Sequence, residues 1–315
     1  MALQTKTRTL NLETAAPQEA TVPTEWADAA GAFNSMLNEP EFLRQCQEQG
    51  IDISNRRSID YAKAVDAYAR EQCEGLLADE LIDSNEASRR LMIACFPLYL
   101  HQETTLQALK QRGYKNLTKP ERRAYHGVLK DDVIAYNQLV SDYLYTNPDT
   151  QLSDIARSTI EAASTYSPLG LAETVSQQST MLSGARTEAV SCGLLDRIKQ
   201  MAPFFNYRRG TIDQDKRGVD AVVSIDNKDI NVDFKASLDG VESTGDGEFV
   251  QHIPGKDYVI VTRNRNGQPH IVVRIVPGYR EADLGDGCRL PEDVAKRETF
   301  HMMQQLNSAF KEVHP

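Results

Sequence analysis

A chain of 315 residues, 40% hydrophobic and 25% charged, has room for two domains or for one domain with a large extension. Its net charge of −10 does not suit a protein that coats nucleic acid indiscriminately, although it says nothing about where individual charges gather. Five scattered cysteines without CxxC spacing and six histidines without an HExxH pairing argue against a disulfide framework and a zinc centre, and for a reducing compartment. The densest apolar run, LMIACFPLYL (Leu91 to Leu100), is about half of what a bilayer requires and contains Pro97. No apolar stretch follows the basic residues of the start, so no secretory signal is read there. A cytoplasmic protein without a membrane segment is expected, with export by another route left open.

In chain order, residues 1–24 are polar, carry Pro17 and Pro23 and show no periodicity, which predicts a disordered tail. Residues 25–175 read as an all-helical domain. SIDYAKAVDAYAREQCEGLLADEL spaces Ile59, Ala62, Val65, Ala69, Cys73 and Leu76/Leu77 at three- and four-residue steps. A second helix is predicted from Glu86 to about Lys110, before Gly113. A third is predicted across NLTKPERRAYHGVLKDDVIAYNQLVSDYLYTNP, with Thr118 as N-cap, Pro120 and Glu121 in the first turn and Pro148 beyond the end. TQLSDIARSTIEAAS and LGLAETVSQQSTML add two shorter helices. Residues 176–315 form a second domain, opened by the helical stretch SGARTEAVSCGLLDRIKQM.

After about Pro203 the period changes to two. GVDAVVSI, DINVDFKA, KDYVIVTR and HIVVRIV read as four strands, with DNKD and NRNGQP supplying hairpin turns. Leu238 to Pro254 is a Gly- and Asp-rich connection, in which Gln251 and His252 either lie near the site or, the plainer reading, are loop residues. Pro291 to Val313 closes the chain as an amphipathic helix.

The strand INVDFKAS raises a chemical question. Ile230, Val232 and Phe234 form one apolar row, so Asn231, Asp233 and Lys235 share the other face. Upstream, Val219, Ala221, Val223 and Ile225 alternate against Asp220, Val222 and Ser224. With Asn227 and Lys228 as turn residues, position 222 pairs with 233 and position 220 with 235. That register gathers Asp220, Asp233 and Lys235 on one face. The other Asp-x-Lys triplet, Asp226 to Lys228, lies in a predicted turn and is read as structural. Two neighbouring carboxylates repel unless a cation lies between them, and oxygen donors of this kind suit magnesium completed by water and phosphate. A lysine beside such an ion can stabilise a phosphoryl oxygen or orient and deprotonate an attacking water. These parts suit phosphodiester hydrolysis.

At these residues, roughly Met181 to Val276, the sequence resembles the PD-(D/E)xK phosphodiesterases of restriction-endonuclease-like fold. Asp220 matches the first acid of their motif, Asp233 and Lys235 the (D/E)xK pair, and Gly218 a glycine often seen two positions before the acid. Glu188 matches an acid that many members carry on the preceding helix. The resemblance implies a mixed-sheet core flanked by helices; with the helical N-terminal region, which resembles no known family, the chain is expected to be α+β or α/β. It also implies a Mg2+- or Mn2+-dependent endonuclease or exonuclease, with Asp220, Asp233 and Glu188 as metal ligands and Lys235 assisting the water. Two features depart from the family: no proline precedes Asp220, and no crossover helix is evident between Leu238 and Pro254.

Read from its helix alone, Glu188 sits at the edge of the stripe Val190, Leu194, Ile198 and Met201. It either leans over the sheet or is a solvated glutamate. Arg208, Arg209, Lys216 and Arg217 are candidate phosphate contacts, with Phe204, Phe205 and Tyr207 as stacking surfaces; the plainer reading is a solvated charged loop. The expected partner is nucleic acid, DNA ahead of RNA, with a protein partner or homodimer through the helical half as a further option. Two alternatives stand beside the nuclease: an inactive binding module of the same fold, and an exposed Asp233–Lys235 ion pair of purely structural meaning, worth under about 1 kcal/mol. There is no GxSxG, P-loop or dinucleotide fingerprint, and Cys192 inside an apolar helix is read as a buried thiol.

Overall fold

A computed structural model describes residues 23–238, 248–265 and 268–314. The disordered tail expected at the start lies almost wholly outside these residues. The chain is a mixed α+β protein whose described residues divide into two compact units, one of residues 23–143 and 150–182, the other of residues 144–149 and 183–314. Among the described residues no helix is long and apolar enough to cross a membrane.

The first unit is built from α1 (Thr24–Met36), α2 (Pro40–Glu48), α3 (Ile59–Ala78), α4 (Ser84–Arg112), α5 (Lys119–His126), most of α6 (Val128–Thr146), α7 (Leu152–Ala163) and the beginning of α8 (Leu171–Met201). Ser58 and Asp83 cap α3 and α4 by accepting the backbone N–H of Tyr61 and Glu86. Of the expected apolar stripe of α3, Ala62, Val65, Ala69 and Cys73 are buried, Ile59 and Leu76 are half-buried and Leu77 is exposed, while Tyr61 and Tyr68 are buried as well. LMIACFPLYL proves to be the middle of α4, where every residue from Met92 to Leu100 is buried. A helix apolar on all sides belongs in the interior, and α4 packs against α1, α3 and α7. Thr118 caps α5 in a capping box with Glu121, as its sequence predicts. The single helix expected beyond it is two, because Gly127 breaks the run with φ −112° and ψ −127°. A Cβ there would lie 2.9 Å from the Arg123 carbonyl oxygen. The two helices expected on either side of residue 182 are instead one, α8.

The second unit carries a six-stranded mixed sheet in the order β1-β2-β3-β6-β5-β4. Its strands are β1 (Phe205–Arg209), β2 (Ala221–Ile225), β3 (Lys228–Phe234), β4 (Glu248–His252), β5 (Tyr258–Arg265) and β6 (Gln268–Ile275). All neighbours are antiparallel except β3 and β6. Two short helices, α9 (Ile212–Asp215) and α10 (Glu281–Leu284), and the closing α11 (Glu292–Val313) complete the unit. The four expected strands are β2, β3, β5 and β6. The two edge strands, β1 and β4, were not anticipated. FNYRR is too polar to show a clean alternation, and β4 lies in the stretch read as a loop, so Gln251 and His252 are strand residues. The turn residues Asn266 and Gly267 between β5 and β6 lie outside the described residues.

One face of the sheet builds the core: Ala221, Val223, Ile225, Ile230, Val232 and Phe234 pack with Leu194, Leu195 and Ile198 of α8 and Met302, Leu306 and Ala309 of α11. Met201, expected on the stripe of α8, is half exposed at the helix end. Val219, Val222 and Val272 form a separate small cluster among the described residues. The alternations thus match the core-facing rows of β2 and β3, except that Val219, expected beside Ala221, clusters with Val222 instead.

Candidate active site

The β2–β3 hairpin turns at Asp226 and Asn227, whose φ angles of 49° and 63° are both left-handed, as a two-residue hairpin of the favoured twist demands. The turn lies one residue earlier than expected, so Ile225 pairs with Lys228 and Ala221 with Val232. Moving a turn by one residue shifts cross-strand partners by two. An even shift preserves which face each side chain occupies. The expected cluster therefore survives a wrong register.

Asp220 stands just before β2, its backbone N–H donating to Val232 O at 2.8 Å. Its Oδ2 accepts the backbone N–H of Phe234 at 2.7 Å, which brings the carboxylate to the end of β3, beside Asp233 and Lys235. Asp233 is 1% exposed. Its Oδ1 lies 2.6 Å from Lys235 Nζ, and its Oδ2 accepts from Arg274 Nε at 3.0 Å. The parallel β3–β6 register explains the second contact, since Asp233 pairs with Arg274. Asp233 Oδ1 is buried, and the Lys235 ammonium is its partner.

The electrostatics follow from this crowding. Burial pushes the Asp220 carboxyl well above the usual aspartate range, and the neighbouring Asp233 adds to the rise, while Lys235 and the Phe234 N–H only partly oppose it. For Lys235, burial works against the charge, but Asp233 and Asp220 outweigh it and the ammonium is held above its ordinary value. The Lys235 side chain as a whole is 43% exposed, although its ammonium sits against the buried Asp233 carboxylate.

Two glycines fix the backbone around Asp220. Gly210 N donates to Asp220 O at 2.7 Å, and a Cβ on Gly210 would run into the Val219 carbonyl. Gly218 has φ +71°, and a Cβ there would sit 3.6 Å from Asp233 Oδ2.

The other expected residues divide. Glu188, on α8, is ion-paired with Arg209 at the end of β1. Burial lowers the Arg209 guanidinium's pKa, opposed by Asp220 and Asp215 nearby. The buried Cys192 thiol is raised by burial first and then by Glu188, Asp220 and Asp196 together. Glu188 thus belongs to the electrostatic surroundings of Asp220, and its partner in the structure is an arginine. Arg208 Nη1 donates to Gln214 at 2.8 Å, and Lys216 lies 3.4 Å from Asp213. Arg217 is exposed, its carbonyl accepting from Arg263 at 2.5 Å. Of the three aromatics, only Phe204 is exposed enough to stack. Phe205 is in the core, and Tyr207 places its hydroxyl 2.8 Å from Asp196.

Sequence reasoning missed Arg274 and Arg263, both near the acidic pair. The signal was present in HIVVRIV, where an arginine interrupts a buried strand, but only the β3–β6 pairing shows what it meets. Among the described residues no three His, Cys, Asp or Glu side chains stand together as a ready metal cage. Two carboxylates still fit an ion of the magnesium type, which takes one or two carboxylates and completes its shell with water and phosphate, provided Asp233 Oδ1 exchanges its 2.6 Å contact with Lys235 for the ion.

Comparison with protein-family models, with curated proteins and with solved structures finds no match to this chain.

Proposed function

We propose that this chain is a metal-dependent nuclease that hydrolyses phosphodiester bonds at the Asp220–Asp233–Lys235 cluster. The observation that carries the reading is the placement of two carboxylates and one amine at the same end of β3. There the Asp220 carboxyl is pushed up by burial and by Asp233. Asp220 and Asp233 would hold Mg2+ or Mn2+, which lowers the pKa of a bound water and stabilises the leaving oxygen. The Lys235 ammonium, kept charged by both aspartates, would stabilise a phosphoryl oxygen brought to the ion. Arg274 holds Asp233 in place through Oδ2 and leaves Oδ1 toward the lysine. Glu188 would join the ion only by giving up Arg209. With Mg2+ or Mn2+ the purified protein is expected to cleave nucleic acid, and Lys235→Ala to abolish cleavage. Cleavage that survives both Asp233→Ala and Lys235→Ala would remove this cluster from the reaction.

One observation favours a second reading, a binding module without catalysis. Asp233 is already neutralised by Lys235 and Arg274, and Glu188 by Arg209, so the acids are balanced by the protein's own cations. Calorimetric titration with Mn2+ separates the two. The nuclease reading requires binding that Asp220→Asn weakens strongly, whereas the module shows no uptake.

A further inference from the structure

The chain's most basic stretch is not at this cluster. Residues 110–130 hold seven lysines and arginines (Lys110, Arg112, Lys115, Lys119, Arg122, Arg123 and Lys130) against one acid, Glu121, in a chain of net charge −10. The structure folds this stretch into one place: the end of α4, a 3-10 turn at Tyr114–Asn116, α5 and the start of α6. Lys110, Arg112, Lys115, Lys119, Arg122 and Arg123 are all exposed. Glu121 does not offset them from a distance. It is consumed by the capping box with Thr118 and by Arg112, 2.5 Å away, which also ties α5 to the end of α4. Backbone and side-chain hydrogen bonds from Thr118 and Arg112 hold its carboxyl down at about 2.

Aromatic rings stand among these cations. Tyr114, Tyr125 and His126 pack edge-on with centroids 6.4, 5.3 and 5.1 Å apart, and the Arg122 guanidinium lies 5.3 Å over the Tyr114 ring. Tyr114 is nevertheless 50% exposed. The rings brace one another without being buried, and Arg122 is fixed further by its Nε donating to Leu117 O at 2.9 Å. A protein gains little from an exposed tyrosine held beside a field of like charges. Both features have a use if the partner brings phosphates and flat bases.

We propose that residues 110–130 form a binding surface for single-stranded nucleic acid, with the exposed cations on phosphates and Tyr114 as a stacking platform for an unpaired base. Cations alone would take a duplex equally well; the exposed ring selects a strand whose bases are free. The surface stands on residues remote in sequence from Asp220, Asp233 and Lys235. It shares only the ligand class with the proposed function.

The test is fluorescence anisotropy of the full chain, without divalent ions, with a labelled oligothymidine of about 20 nucleotides, its duplex with oligoadenosine, and anionic vesicles as a third arm. With about four phosphates contacted, affinity for the single strand should fall about 50-fold between 50 and 200 mM salt. Lys119→Glu with Arg123→Glu, both exposed positions outside the capping box, should cost at least tenfold and flatten the salt dependence. Tyr114→Ala should cost roughly tenfold with the salt slope unchanged, with helix content by circular dichroism showing the unit intact. Unchanged binding in the charge-reversed variant, duplex bound as tightly as single strand, or preference for vesicles would each overturn the proposal. Binding without cleavage would fail the nuclease reading alone, and cleavage without binding at this surface would fail this inference alone.

Discussion

Asp220 Oδ2 takes the backbone N–H of Phe234 at 2.7 Å, so a side chain from the start of β2 supplies the acceptor at the end of β3. This bond makes the acidic pair a property of the backbone, because it fixes the Asp220 carboxylate beside Asp233 whatever the surface lysine does. Its cost is a half-buried carboxylate held next to another.

That cost has a sign. The Asp220 pKa is raised in the folded protein, by burial first and by Asp233 second. A group raised on folding favours the native state below its unfolded pKa. That contribution is lost as pH climbs from there through the folded value. Asp220→Asn keeps an oxygen for the Phe234 N–H and removes the charge. The variant should melt higher than the native sequence at pH 7–8, the difference vanishing near pH 3. Thermal denaturation across that range checks it, and a variant less stable at pH 8 would contradict the electrostatic account. Metal uptake should strengthen with rising pH, since only the ionised carboxyl is a ligand.

Arg274→Met removes one of two cations from a carboxylate that is 1% exposed. Stranding a buried charge is expensive, and with Lys235 still present a loss of about 3 kcal/mol is expected in urea titration. If Asp233 also serves an ion, added Mg2+ should restore more stability to this variant than to the native chain. No restoration would count for the non-catalytic reading.

Gly210→Ala tests the scaffold without touching a charged group. The new Cβ collides with the Val219 backbone, and Gly210 N is also the donor to Asp220 O. A backbone obstacle cannot rotate away, so the variant should lose about 3 kcal/mol and, with Asp220 displaced, its Mn2+ affinity. Gly218→Ala, held at φ +71°, should cost about 1–2 kcal/mol.

All five cysteines are free and buried, and burial raises every thiol, Cys288 to about 12. A thiol reagent at pH 8 should label essentially none of them in the native protein and all five in denaturant, because only the thiolate reacts. Rapid labelling of any one under native conditions would mark local opening around it.

The sequence by itself determined what depends on neighbours along the chain. The three- and four-residue spacing marked α3, Gly113 marked the end of α4, Thr118 marked the start of α5, and period two marked β2, β3, β5 and β6. Parity placed Asp220, Asp233 and Lys235 together even with the turn assigned one residue late, because an even shift does not change faces. The tertiary structure decided what depends on distant partners. Strand β1 forms because Phe205 to Arg209 finds β2, and β4 because it finds β5. Arg274 reaches Asp233 only through the parallel β3–β6 pairing, and Glu188 meets Arg209 only because α8 lies over that end of β1. The physical reason is range: hydrogen bonds within a turn or alternate residues in a strand are fixed by covalent spacing, whereas ion pairs between residues 21 or 41 positions apart exist only once the chain has closed the intervening loop.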